Sequence, residues 1–535
     1  RREVVETGPG GRKVYPMLHA MGGKNVYFFL TPLEKGRLQV LPVVYDVRRR
    51  GWYDTTRSMV RHFGDETDEP LDWRDQLLTF NTACYNCHVS QLDKNYDPAT
   101  DIYRTTWREP GINCESCHGP CGEHVRVCKA LPAGVAPKDM RLLSWKTLTV
   151  QQVNDGCSFC HAKMRPVTAS AKPGERYFDH YDLTCLEDRD FHPDGRDLGE
   201  NYTYTSWLMS PCAKSGKLSC IHCHTSSGRY RFKDKDPEGA CLPCHAARVA
   251  EKELHSRHSS MPGSPTCISC HMPTTEFSRM NRTDHSMRPP APEAGVRFGS
   301  PVACNLCHTN MTPAWSAGMV RQWYPELEWQ ARIVREGDLV DAARKAKWDR
   351  LPEIIGYLSE TNSDTVVMTS LIRLLGSCRE TGKWPAIRRC AGNASPLVRG
   401  SAVDALREDT GSAESMTILL SALRDDLRVV RVYAASALAR VPRESIKADD
   451  LRKLAAAEKE LLASFAAQPD SWGSHYNLAN YRSERGDPVG ALAEYDRAIA
   501  LRGDVMLPYV NASVLASQAG RMGDSIRYLQ TAYKH

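Results

Sequence analysis

Hydrophobic positions divide the chain into three stretches of different character. In residues 1–83 the runs NVYFFL (25–30) and LQVLPVVYDV (38–47) are rich in β-branched and aromatic residues, and TPLEKGR separates them. That pattern predicts a small hairpin-bearing, β-rich segment. Residues 84–325 show little periodicity and abundant Pro and Gly, which predicts short helices joined by irregular chain. Beyond residue 325, Ala, Leu and Arg recur at helical spacing. Two internal periods appear there. PLVRGSAVDAL (396–406) aligns with RVVRVYAASAL (428–438) at an offset of 32, matching Val398/Val430, Arg399/Arg431, Ala402/Ala434, Ala405/Ala437 and Leu406/Leu438. Farther on, Asn477/Asn511, Gly486/Gly520 and Ala498/Ala532 match at an offset of 34. Small residues at Ala479, Gly486, Ala491 and Ala498 let paired helices approach closely. The predicted architecture is mainly α, with a β-rich segment at 1–83, an irregular region at 84–325, helical repeats at 326–455 and a second repeat type at 456–535. Because a lone repeat cannot bury its apolar face, the two repeat types are expected to stack into one α-helical solenoid.

The cysteines change the picture of the middle region. Cys-x-x-Cys-His occurs at Cys84/Cys87/His88, Cys114/Cys117/His118, Cys157/Cys160/His161, Cys220/Cys223/His224, Cys241/Cys244/His245, Cys267/Cys270/His271 and Cys304/Cys307/His308. From the chain's own Cys and His frequencies, chance gives about 0.02–0.03 matches. The pattern is that of c-type haem attachment. Two thiols on one turn form thioethers with one haem, and the adjacent His becomes the proximal iron ligand. A structural zinc site does not need a His after every second Cys, and a redox dithiol occurs once per domain beside a βαβ unit. The expected cofactor is therefore haem c, seven covalently attached. Successive motifs start 30, 43, 63, 21, 26 and 37 residues apart. That is too little chain for a conventional core between cofactors, so the haems are expected to form much of the core.

Haem leaves one axial position to assign. Of the 18 His, seven close motifs. His475 and His535 lie in the repeats and His222 lies inside a motif. The remaining pool is His19, His62, His124, His180, His192, His255, His258 and His285. From it, His62, His124, His180, His258 and His285 are taken as metal ligands alongside the seven proximal residues. His124 stands six residues past His118, too close to reach the open face of the same haem, and is expected to cap a neighbour. Met209, Met261 and Met272 lie near motifs, where packing is their expected role.

Composition removes other classes. The formal charge is +6, and each ferric bis-His haem with ionised propionates adds about −1, so no nucleic-acid partner is expected. No run of eighteen apolar residues marks a transmembrane helix. The chain opens on Arg1; with haem c attached outside the bacterial cytoplasm, an exported protein is expected, periplasmic or at the cell surface. The six cysteines outside motifs pair most locally as Cys121–Cys128, Cys185–Cys212 and Cys378–Cys390, and buried free thiols are the alternative.

Several stretches resemble a known family. GGKNVYFFLTPLEKGRLQVLPVVYDVRRRGWYDT, FNTACYNCHVSQL, TTWREPGINCESCHGP, CISCHMP, DHSMRPP and ACNLCHT are similar to bacterial multihaem c-type cytochromes with C-terminal tetratricopeptide repeats. The 34-residue pattern resembles a tetratricopeptide repeat and the 32-residue pattern a HEAT-type repeat. More distantly, the haem part resembles the tetrahaem and octahaem cytochromes of nitrogen metabolism. The resemblance implies that His124, His258 and His285 are distal ligands. Two departures stand out. Family members usually carry a further motif upstream, which would raise the count to eight haems, and Cys212 stands where distant relatives have a His. The function expected is electron conduction through closely packed, mostly bis-His haems, with the repeats docking redox partners or copies of the chain, including as a filament. The competing reading is an oxidoreductase acting on a small nitrogen or sulfur species at one five-coordinate haem. The absence of any Lys-for-His motif favours the conduit over the enzyme.

Overall fold

A computed structural model describes residues 2–63, 66–199, 202–225, 228–232, 236–259, 264–326 and 328–534, and the side chains of 62, 63, 66 and 67 lie outside the description. The N-terminal segment opens with a hairpin of β1 (Glu3–Gly8) and β2 (Gly11–Pro16). A five-stranded antiparallel sheet follows, made of β3 (His19–Gly22), β4 (Val26–Pro32), β5 (Leu38–Val40), β6 (Val43–Asp46) and β7 (Gly51–Asp54). Its strands run β3-β4-β6-β7, with β5 also paired to β4. The two runs that read as strands are therefore paired, Leu30 opposite Val40 and Val26 opposite Asp46. The turn between β4 and β5 places Lys35 and Gly36 at φ +60° and +72°. A Cβ on Gly36 would stand 2.1 Å from the Tyr103 carbonyl oxygen, so only glycine fits. That contact ties the sheet to the first motif segment.

The middle region is built of short helices and two-stranded ladders. Motif cysteines begin or end single helical turns at Tyr85–His88, Glu115–His118, Cys220–Cys223 and Cys267–His271. The third motif ends a longer helix, Val150–His161, whose Thr149 and Gln152 form a reciprocal cap. One turn sets the two thiols three residues apart on the same side.

From Pro313 onward the chain is helical. Thr365–Leu374 packs on Pro396–Ala405, which packs on Arg428–Ala437, which packs on Ala448–Ala466. The two helices of the 32-residue repeat keep the same offset at both ends. The helices Trp472–Glu484 and Pro488–Leu501 repeat 34 residues later as Met506–Gln518 and Met522–Ala532. Gly486 and Gly520 close the first helix of each pair at φ +78° and +74°, the left-handed geometry that glycine adopts without penalty.

The boundary expected at residue 325 is not a boundary of the core. One apolar cluster joins Tyr177, Leu183, Leu186, Phe191, Tyr204 and Trp207 to Leu339, Ile354, Leu371, Val398 and Leu438. Polar contacts lock the same junction. Arg344 donates to the carbonyls of Leu186, Asp188 and Phe191, at 2.8, 2.9 and 3.0 Å. Arg373 reaches Asp182 and the Leu183 carbonyl, both at 2.8 Å. Burial holds the Arg344 guanidinium down to about 10, the expected direction for a cation whose partners are mostly neutral carbonyls. None of the three local disulfides is present, and Cys185, Cys378 and Cys390 are buried thiols.

The C-terminal helices also fold back on the first motif segment. Asp470 is buried and accepts from Lys94 Nζ at 2.9 and 3.0 Å and from the Tyr103 hydroxyl at 3.0 Å. Gln76 donates to the Leu501 carbonyl at 3.0 Å. Asp470→Ala strands the Lys94 charge, a loss of about 3–5 kcal/mol for a buried pair. Hydrogen exchange should then accelerate both at residues 94–104 and at 472–501, and unchanged protection of either segment contradicts this closure.

Candidate haem-attachment and iron-ligand sites

The motif thiols do not share one environment. Cys114, Cys244 and Cys307 are exposed, whereas the other eleven motif cysteines are half-buried. The reason is local. Cys244 stands on the helix Leu242–Ala250, where every residue but Val249 is exposed. Cys307 directly follows the turn Ala303–Leu306, next to the exposed Leu306. Cys114 precedes the turn Glu115–His118 and follows the exposed Ile112 by two residues. The turns themselves are formed. The amides of Cys117, Cys244 and Cys307 donate to the carbonyls of Cys114, Cys241 and Cys304, each at 3.2 Å. Cys114, Cys244 and Cys307 are therefore attachment candidates by turn geometry.

Histidine geometry separates the pool into groups. Three motif histidines each face a second imidazole. His224 faces His285, His271 faces His255 and His308 faces His258, each pair with ring centroids 6.2 Å apart. Their ring planes are 29°, 10° and 42° apart. Direct stacking would bring rings closer. Two imidazoles bound to opposite sides of one metal, with bonds of about 2 Å and about 1 Å more to each ring centre, have centroids about 6 Å apart. The donor set and its spacing fit an iron held by both rings.

Hydrogen bonds sort the ring nitrogens in the same way. Nδ1 of His224, His258 and His285 bonds the carbonyls of Gly228, Ser256 and Thr283 at 3.2, 2.6 and 2.8 Å. A carbonyl only accepts, so Nδ1 carries the proton and Nε2 keeps its lone pair. His118 follows the rule through Leu143 at 2.9 Å, and His124 bonds Met140 through Nδ1 at 2.7 Å with the Cys128 thiol 3.8 Å from its Nε2. One strand of chain, 140–143, thus orients both histidines of the second motif segment. They do not face each other, and among the described residues His88, His118, His161 and His245 face no second imidazole.

His180 departs from expectation. Its Nδ1 bonds Thr168 Oγ1 at 2.6 Å and its Nε2 meets Glu175 at 3.0 Å. Neither nitrogen is left for a metal, so His180 leaves the ligand set. His222 spends Nε2 on the Ala240 carbonyl at 3.0 Å, and His475 has both nitrogens bonded, to Glu494 and the Pro469 carbonyl. His62 belongs to the strand His62–Phe63, and its side chain lies outside the described residues. His19 packs edge-on against Trp107. His192 is buried and bonds the backbone at Phe298.

His255 is the residue that sequence reasoning passed over. It sits with His258 in LHSRHSS, and the intervening Arg257 adopts φ +60°. That left-handed residue ends the helix Lys252–Ser256 and turns the chain, so two histidines three apart reach two different motifs. The signal was the His-x-x-His pair itself, which a helix would put on one face.

Burial sets the electrostatics. It pulls His224, His271 and His285 below the ordinary imidazole range, and for His271 the nearby His255 adds to the effect. Half-buried and neutral at neutral pH, these rings present the form a metal needs. The loop carrying His285 is fixed by ion pairing. Asp284 accepts from Arg196 at 2.7 Å and from the Ser286 amide and hydroxyl at 2.7 and 2.8 Å, all buried. The motif thiols also meet across motifs. Cys87 hydrogen-bonds Cys160, Cys157 hydrogen-bonds Cys220, and Cys241 hydrogen-bonds Cys267, each contact raising one thiol and lowering its partner. Burial pushes Cys270 up to about 11, and the neighbouring Cys304 adds to the rise.

Comparison with known proteins agrees with this chemistry. Residues 54–119, which hold the first two motifs, match the family model described as cytochrome c554 and c-prime. A curated relative, "Multiheme cytochrome MtrA" of Shewanella baltica (strain OS185), is 23% identical over 196 residues, covering 36% of this chain and 45% of its own length. The chain thus spans about half of that relative. The solved structure of "Outer Cell Wall Cytochrome OcwA" aligns over 82% of this chain and 86% of its own, with 16% identity and a TM-score of 0.38, too low to carry an argument.

Asp284→Ala removes the shorter of the two ion pairs of buried Arg196 and leaves only Asp194, at 3.5 Å, a loss of about 1–3 kcal/mol. Amide exchange in residues 283–288 should rise while that of 428–437 stays as in the parent, and equal protection in both contradicts the anchoring role. The motif cysteines, the facing imidazoles and the match of residues 54–119 agree on one chemistry, that of c-type cytochromes that carry several haems.

Proposed function

We propose that this chain conducts electrons between redox partners through seven covalently attached haem c groups. The observation that carries the reading is the three imidazole pairs at 6.2 Å, each joining a motif histidine to a second one. Haem c, when bound, supplies an iron that exchanges one electron at a time. The protein's part is to attach, orient and pack. The paired cysteines Cys84/Cys87, Cys114/Cys117, Cys157/Cys160, Cys220/Cys223, Cys241/Cys244, Cys267/Cys270 and Cys304/Cys307 attach, and the seven motif histidines ligate. His285, His255 and His258 ligate from the opposite side of the fourth, sixth and seventh sites. His62 and His124 remain candidates for others. Ligation from both sides holds the metal geometry fixed through a redox change, which suits transfer in preference to binding of a small molecule.

We read motif one as a neighbour of three, three of four, and five of six, because Cys87 and Cys160, Cys157 and Cys220, and Cys241 and Cys267 shift one another's thiols. Among the described residues no helix is long and apolar enough to cross a membrane. We read the protein as exported, periplasmic or at the cell surface, with the HEAT-like and tetratricopeptide-like helices as one solenoid that docks partners.

Replacing His255, His258 or His285 singly with Met should raise the potential of one haem per variant, because Met in place of His favours the reduced iron. His180→Met should leave every potential where it was. A redox titration followed by absorbance checks both, and three unshifted titration curves would falsify the ligand set.

A further inference from the structure

One helix touches the paired histidines of two sites. Pro313–Trp323 starts beside the seventh motif, where Thr312 caps it by accepting from the Trp315 amide at 3.2 Å. Ser316 donates to Asn305 Oδ1 at 3.0 Å, and Asn305 Nδ2 donates to the Met311 carbonyl at 2.7 Å. Those bonds tie its first turn to the motif turn Ala303–Leu306. Trp315 and Trp323 stand eight residues apart, about 12 Å along the helix and within about 80° around it. Trp315 meets the His308 ring with centroids 5.2 Å apart and planes at 53°. Trp323 meets the His258 ring edge-on, at 6.3 Å and 82°. Each histidine of the seventh pair thus has its own tryptophan. The next residue, Tyr324, donates its hydroxyl to the His255 carbonyl in the sixth pair. Its ring lies edge-on to Trp329 at 5.9 Å, and Trp329 Nε1 donates to the Pro290 carbonyl at 3.3 Å.

We infer that this helix and Tyr324 form a positioning element for the sixth and seventh sites: Trp315 and Trp323 set the ring planes of His308 and His258, and Tyr324 fixes the backbone of His255. The inference rests on the reading of these histidines as iron ligands. The outer torsion of a histidine side chain is broad, so its surroundings decide the ring plane. Hydrogen bonds from Nδ1 do part of this at His224, His258 and His285. Aromatic neighbours do the rest, because the opposite charges of ring edge and ring face favour tilted and edge-on contacts. Among the described residues the seventh pair is the one in which both rings pack against tryptophan, and His224 packs against Tyr230 at 6.2 Å. The seventh pair is also the most tilted of the three, at 42° against 29° and 10°. Groups that orient a ligand also tune the metal it holds, so the two tryptophans act on the seventh site without touching its iron.

The test uses the full haem-loaded chain, with electron paramagnetic resonance of the oxidised protein and a redox titration as readouts. Trp315→Leu should move one low-spin signal and shift one midpoint potential, leaving the others where they were. Trp323→Leu should move that same signal, because both rings serve one site. Trp315→Phe keeps an aromatic ring in place and should return the parent signal. Trp315→Met and Trp323→Met fill the space with a flexible chain, are gentler on folding, and should move the signal in the same direction as the leucine variants. Tyr324→Phe should move a different signal and speed amide exchange at 252–256. Parent signals and potentials in all the tryptophan variants, at full haem content, overturn the inference. So do signals that move at two different sites in Trp315→Leu and Trp323→Leu, and a signal displaced as far by Trp315→Phe as by Trp315→Leu. His258→Met separates the inference from the reading beneath it. A potential shifted by His258→Met but by no tryptophan variant removes the positioning role alone, whereas no shift in any of them removes the ligand role of His258 as well.

Discussion

An imidazole that offers Nε2 to a metal has only Nδ1 left with which to hold the protein. That constraint organises the central region. His224, His258 and His285 each commit Nδ1 to a backbone carbonyl, and a carbonyl has no proton to return that would confuse the tautomer. The loops around them then have to be rigid without a large apolar core behind them. The chain answers with buried ion pairs and hydrogen bonds, Arg196 with Asp284 behind His285, and with a left-handed Arg257 between His255 and His258. The same accounting excludes His180, His222 and His475, whose ring nitrogens are bonded in ways that leave Nε2 engaged.

Much of the rest of the structure supports these loops. Residues 162–213 lie between the motif region and the helices, and their apolar side chains complete a core that runs on to Leu461. Arg344 and Arg373 satisfy carbonyls and carboxylates of this strap that no regular ladder reaches. At the other end, Asp470 brings the terminal helices back to Lys94 and Tyr103, beside the first motif. The helical part is therefore a frame around the motif region as well as a continuation of it.

Local chemistry was legible in the sequence, and long-range pairing was not. The strands at 26–32 and 38–46 followed from β-branched runs around a glycine turn, and the helical pairs from offsets of 32 and 34. Seven motifs announced their chemistry because three residue types at fixed spacing have few other uses. Their depth was not legible: Cys241 and Cys304 are half-buried while Cys244 and Cys307, three residues on, are exposed, and the same spacing describes both. Distal partners are set instead by which loop faces which motif. His285 faces a histidine 61 positions earlier, and His258 one 50 positions later; no periodicity encodes such distances. His180 looked like His258 in the sequence, and only the Thr168 and Glu175 side chains folded around it distinguish the two. The core crossing residue 325 was hidden for the same reason, since residues 177–209 lack helical period yet pack on helices far along the chain.

The most direct measurement is low-temperature electron paramagnetic resonance of the oxidised protein, with spins counted against haem content. The account predicts at least three low-spin irons per chain with bis-imidazole signatures, one for each pair at 6.2 Å. Fewer than three, with high-spin ferric haem making up the difference, would contradict it and point to open iron sites that bind small molecules instead of only passing electrons.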